Sequence, residues 1–74
     1  MTEQSDELKK MVAIATDMAL PGDLRSKAIT QIGNVRTHEA LLALLELAGN
    51  EGMVKKDREL ALKRAKDIIK ASPT

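Results

Sequence analysis

Slid against itself by 33 residues without a gap, the sequence lays its apolar positions on one another: Leu8 on Leu41, Met11 on Leu44, Val12 on Leu45, Ile14 on Leu47 and Ala15 on Ala48. The register holds further along, with Leu20 on Met53, Arg25 on Arg58, Ala28 on Ala61, Ile29 on Leu62, Ile32 on Ala65 and Val35 on Ile68. A repeat of this length is one supersecondary unit that cannot bury its apolar face alone, so its copies must stack on a shared core. With 74 residues the chain reads as a single domain, 1–74, near the size at which a core alone holds a fold.

Periodicity and punctuation predict four helices and no strand, an all-α fold. The first spans about 6–19, with Ser5 as N-cap, Asp6 and Glu7 in the first turn, and a stripe of Leu8, Met11, Val12, Ala15, Met18 and Ala19 that stops at Pro21-Gly22. The second spans 23–33, with Asp23 as N-cap; Leu24, Ala28, Ile29 and Ile32 face inward, and Gly33-Asn34 closes it, because both residues tolerate the left-handed conformation. Thr37 caps the third, 38–48. Gly49-Asn50-Glu51-Gly52 breaks the chain before the fourth helix, about 53–70, and Ala71 to Thr74 form a frayed end.

There is no Phe, Tyr or Trp, so aliphatic side chains must fill the interior, and the aromatic anchors common at binding hot spots are missing. The absence of Cys removes disulfides and thiol chemistry. The apolar run from Ala40 to Ala48 is interrupted by Glu46 and is too short to span a bilayer, and the first seven residues are polar and acidic. The chain reads as a soluble cytoplasmic protein. Catalysis has little to build on. The lone His38 lies in the first turn of the third helix with Leu42 at i+4 in place of a second ligand, Ser5 and Ser26 have no base beside them, and no glycine-rich phosphate loop is present. No catalytic residue, metal site or cofactor is expected, and no small-molecule substrate is evident.

On a helical wheel at about 100° per residue, Arg25 falls among Leu24, Ala28, Ile29 and Ile32, and Arg58 at the centre of Val54, Ala61, Leu62, Ala65 and Ile69. Both point inward. A guanidinium there needs carboxylates or the carbonyls of a neighbouring helix end, and Asp17, Asp23 and Asp57 are the possible carboxylate partners. Recurrence at one repeat position favours a packing device over an anion site.

The run from Leu24-Arg25 through Ala28-Ile29 to Ile32-Gly33, followed by Glu39-Ala40-Leu41-Leu42-Ala43-Leu44-Leu45-Glu46-Leu47, resembles a HEAT repeat, and Asp57-Arg58-Glu59-Leu60-Ala61 resembles the opening of another. The likeness extends from Leu8 to Ile69, as the second helix of one unit, a full unit, and the first helix of a third. Asp57 departs from the pattern where an apolar residue precedes the Arg, and Ala65-Lys66 stands where an apolar residue and Gly would end the helix. The resemblance implies a right-handed stack of two HEAT-like helix pairs, a short α-solenoid, with the first and third helices lining its concave side. It also implies the interaction scaffolds to which most such proteins belong.

Two surfaces follow as candidates. The third helix is apolar over about 260° of arc, more than one core-facing stripe requires. Its spare side, Leu42, Ala43 and Leu47 flanked by Glu46 and by Ile14 of the first helix, is the expected protein contact, for a second copy or an acidic protein. The alternative surface is basic. Residues 1–52 carry a net −3 and residues 53–74 a net +4, and Lys55, Lys56, Lys63, Lys66 and Lys70 project within about 100° of arc on the fourth helix, where they could follow a run of phosphates. The same lysines also suit a solvated outer face, with Lys55 to Glu59 and Glu59 to Lys63 as helix-stabilising pairs. The missing aromatics leave nothing to stack on bases.

Overall fold

A computed structural model describes residues 6–71. It is all-helical, with α1 (Asp6–Thr16), α2 (Gly22–Val35), α3 (His38–Ala48) and α4 (Lys55–Ala71), and no strand among the described residues. Ser5, the expected first N-cap, and residues 72–74 of the expected frayed end lie outside them.

Four helix boundaries differ from the sequence expectation. α1 stops three residues before position 19, because the Asp17 carboxylate accepts the Ala19 N–H at 3.0 Å and forms a side-chain turn that competes with the helix. α2 begins before Asp23: Pro21 is its N-cap, and the Pro21 carbonyl accepts the N–H groups of Leu24 and Arg25. Asp23 therefore sits in the first turn, where a carboxylate favours the positive end of the helix dipole.

At its other end α2 runs through Gly33-Asn34 to Val35, and the left-handed residue is Arg36, at φ 57° and ψ 32°. Gly33 serves packing: a Cβ built there would stand 3.0 Å from both Cβ and Cδ of Arg64, so its bareness lets α4 cross close to α2. α4 begins after Met53, whose side chain is buried as part of the core instead of opening the helix.

α3 is capped by Thr37, whose hydroxyl accepts the Ala40 N–H at 3.1 Å. The helices pack most extensively as α3 with α4, α1 with α2, and α2 with α4; α2 and α3 share a smaller interface, α1 and α3 a slight one, and α1 and α4 do not meet among the described residues. The core is aliphatic throughout. Six of its thirteen buried apolar residues are alanines, Ala15, Ala28, Ala40, Ala43, Ala61 and Ala65, so helices approach closely where aromatic bulk is missing, around the fully buried Ile29, Ile32 and Leu44.

The repeat is visible hydrogen bond by hydrogen bond. Asn50 Oδ1 accepts the Gly52 N–H at 2.8 Å as Asp17 Oδ1 accepts that of Ala19. The Leu20 N–H donates to the Asp17 carbonyl, and the Met53 N–H to that of Asn50, both at 3.1 Å. The N–H groups of Arg25 and Arg58 donate to the carbonyls of Pro21 and Val54, and α2 and α4 start 33 residues apart. The structure is thus two hairpins of one layout, α1/α2 and α3/α4.

Candidate interaction surfaces

The two inward arginines are both satisfied by the protein itself. Arg25 donates from Nε to Asp57 Oδ2 at 2.7 Å and from Nη1 to the Leu20 carbonyl at 2.6 Å, with both members of the ion pair almost fully buried. Of the three carboxylates the sequence offered, the fold uses Asp57, and the departure of that residue from the repeat pattern now has a cause. Standing in the first turn of α4, it holds α2 to α4 across 32 positions of chain. Arg58 donates from Nε to the Ala48 carbonyl at 3.0 Å, at the end of α3. These bonds tie both guanidinium groups into the packing.

α3 divides its apolar arc between core and surface. Ala43 and Leu47, expected on its spare side, are only 2% exposed and belong to the core with Ala40 and Leu44, because α3 is wedged against both α2 and α4. That corrects the expected contact surface. What remains outside is Leu42, 45% exposed, and Leu45, 42% exposed, with the exposed Glu46 beside them on the helix. Leu45 was not among the expected contact residues; the 33-residue alignment pairs it with Val12, which is only half-buried. Ile14 is exposed on α1.

All five expected lysines of α4, Lys55, Lys56, Lys63, Lys66 and Lys70, are exposed, and none enters an ion pair with another described residue. Glu59 is exposed among them and bridges neither Lys55 nor Lys63, so the expected helix-stabilising ion pairs are not formed. Arg64 instead bonds Asp67 at 3.1 Å, while its stem lies over Gly33 and its Nε is buried without a partner.

The depressions are shallow. One of about 340 Å³ is lined by Ala48, Lys55, Arg58, Glu59 and Leu62, at the open side of α3 and α4. Another of about 500 Å³ lies between the first turns of α2 and α4, and its walls mix signs, Asp23 and Asp57 against Lys27 and Lys56. His38 is exposed, and among the described residues no three His, Cys, Asp or Glu side chains come together to hold a metal ion. No helix there is long and apolar enough to cross a membrane.

These features define a small all-helical protein of two repeated hairpins with exposed aliphatic surface. No family model, no curated protein and no solved structure matches the chain.

Proposed function

We propose that this chain is a small, non-enzymatic protein-interaction module, a scaffold of the HEAT-like helical-repeat kind. In this reading its two hairpins form a short right-handed α-solenoid acting in the cytoplasm. The observation that carries the reading is the outer side of α3, where Leu42 and Leu45 remain nearly half exposed although the helix already buries a full apolar stripe. Aliphatic side chains held out by a rigid helix offer desolvation energy to a partner, and Glu46 at their edge favours a partner with a cation at its rim.

Leu42→Glu tests it. Affinity purification at moderate salt with the wild-type chain and with the variant is expected to yield a directly cross-linked protein that only the wild type retains. Retention of the same protein by a folded Leu42→Glu variant overturns this surface.

A second reading is favoured by one observation, the five exposed lysines of α4 without ion pairs: a phosphate-binding ridge for nucleic acid. Contact with five phosphates of a duplex gives a log–log salt slope of about −4 to −5, whereas contact through Leu42 is nearly indifferent to salt. Binding of a short duplex with that slope, abolished by Lys63→Glu with Lys66→Glu, would move the ridge to first place.

A further inference from the structure

The two hairpins share one layout, so a residue buried in one and exposed at the equivalent place in the other owes its burial to the neighbouring hairpin. Sorted this way, some of the exposed apolar residues fall into two sets, while Met18, Leu42, Leu45, Val54 and Ile69 have no buried equivalent and belong to neither. Ile29 is fully buried where α1/α2 meets α3/α4, but its equivalent Leu62 is 41% exposed; Ala15 is likewise buried, and its equivalent Ala48 only half so. These residues repeat, on the far side of α3/α4, the surface that α1/α2 presents to it. In the other direction, Leu47 and Ile68 are buried, while their equivalents Ile14 and Val35 are exposed. They repeat, on the far side of α1/α2, the surface that α3/α4 presents. The molecule thus carries part of each half of its internal joint a second time, exposed, one part at each end; on α1 the copy is incomplete, since the exposed Glu7 and Lys10 stand where α3 buries Ala40 and Ala43.

We infer that the α3/α4 end of one copy receives the α1/α2 end of another, so that copies add head to tail in the register of the 33-residue repeat. The inference rests on the reading of the chain as an interaction module and names the partner, a second copy of the chain. Continuity with the internal interface selects this occupant, because the incoming hairpin has the layout of the one already seated inside. The contact is heterologous and does not close on itself at two copies, so assembly proceeds as open growth.

The joint between copies is weaker than the internal one for three reasons. Glu7 and Lys10 stand where Ala40 and Ala43 are buried inside, so the α1/α2 end brings two charged side chains to the contact. Leu24 stands where Asp57 stands inside, so Arg58, the equivalent of Arg25, meets no carboxylate. Lys66 stands where Gly33 admits the stem of Arg64, which holds the helices further apart. Association is therefore reversible and dependent on concentration.

Sedimentation velocity with interference optics, from micromolar concentrations to about 1 mM, tests this with the full chain. The weight-average mass of the wild type is expected to rise through and beyond the dimer. Ile14→Lys blocks one end and Leu62→Lys the other; both sites are exposed, and an unchanged far-ultraviolet circular dichroism spectrum verifies the fold. Each variant alone is expected to stay monomeric, and an equimolar mixture to form a one-to-one dimer that grows no further, since each variant keeps the end the other has lost. Leu24→Asp supplies the missing carboxylate opposite Arg58 and is expected to tighten association several-fold.

A wild-type chain that stays monomeric throughout overturns the inference. So does a dimer that plateaus and responds to Leu62→Lys but not to Ile14→Lys, the signature of two like ends face to face. Association that Leu24→Asp leaves unchanged or weakens overturns the register. A monomeric chain that still holds a partner through Leu42 sinks this inference alone and leaves the interaction-module reading standing.

Discussion

Replacing Asp57 by Ala leaves Arg25 in place with its principal acceptor gone. The guanidinium has little access to water, since its side chain is 12% exposed and that of Asp57 only 3%. Removing one partner of a buried, hydrogen-bonded pair costs about 3–5 kcal/mol, because the other charge stays desolvated. Arg25 keeps the Leu20 carbonyl at 2.6 Å, which sets the expectation at the lower end, about 3 kcal/mol. For a domain of this size, with roughly 4–10 kcal/mol in total, that is a third or more of its stability. The double variant Arg25→Met with Asp57→Leu removes both charges and restores at position 57 the apolar residue that the repeat carries at Leu24; it is expected to recover at least about 2 kcal/mol of the loss. Urea titration followed by circular dichroism at the helical minimum compares the wild type, the single and the double variant, since no aromatic residue is present to report by fluorescence. A cost below about 1 kcal/mol for Asp57→Ala, as for an exposed pair, or a double variant no better than the single, would refute the reasoning.

Gly33→Ala gains about 1 kcal/mol of helix propensity, yet its Cβ meets Arg64 Cβ and Cδ at 3.0 Å, and Arg64 Cβ moves only with α4; net destabilisation of about 1 kcal/mol is expected in the same titration. Arg64→Ala in that background relieves only part of it, because the Cβ contact stays. Arg36→Gly removes the side chain from the only left-handed position among the described residues, φ 57°, and is expected to raise stability by about 0.5–1 kcal/mol after the added unfolded-state entropy is deducted, seen as a higher thermal midpoint. Leu47→Glu places a carboxylate in the core at a site 2% exposed and is expected to unfold the chain, whereas Leu42→Glu, at 45%, should change stability by no more than about 0.5 kcal/mol; similar urea midpoints for the two would contradict the division of α3 into inner and outer sides.

The features legible in the sequence were those set by local chemistry and by the repeat. Thr37 caps α3 because a hydroxyl there reaches the Ala40 N–H whatever surrounds it, and the inward orientation of Arg25 and Arg58 follows from periodicity. Gly33-Asn34 misled because glycine has two uses: the propensity to end a helix is written in the residue, while the close passage of Arg64 is written 31 positions away. Asp17 looked like a candidate ion-pair partner but is spent on its own turn, and its equivalence to Asn50 was the signal that could have placed the end of α1. Ala43 and Leu47 were assigned to the surface because a wheel counts apolar arc but not neighbours; α3 packs mainly against two, α2 and α4, and needs both of its inner sides.

The two arginines show how one repeated residue can do different work according to its place in the stack. Arg25 lies at the joint between hairpins and draws its carboxylate from the next unit, an arrangement that fixes which turn of α2 faces which turn of α4. Arg58 lies where no further hairpin follows among the described residues, and it turns back to the Ala48 carbonyl of its own hairpin. A buried ion pair contributes little net energy against an apolar replacement but penalises every register that separates it. The outer ends carry related aliphatic positions without the pair, so a docked copy would be held by area and shape, and Leu24 is the position at which a single carboxylate, set opposite Arg58 of the next copy, would turn a loose contact into a specified one.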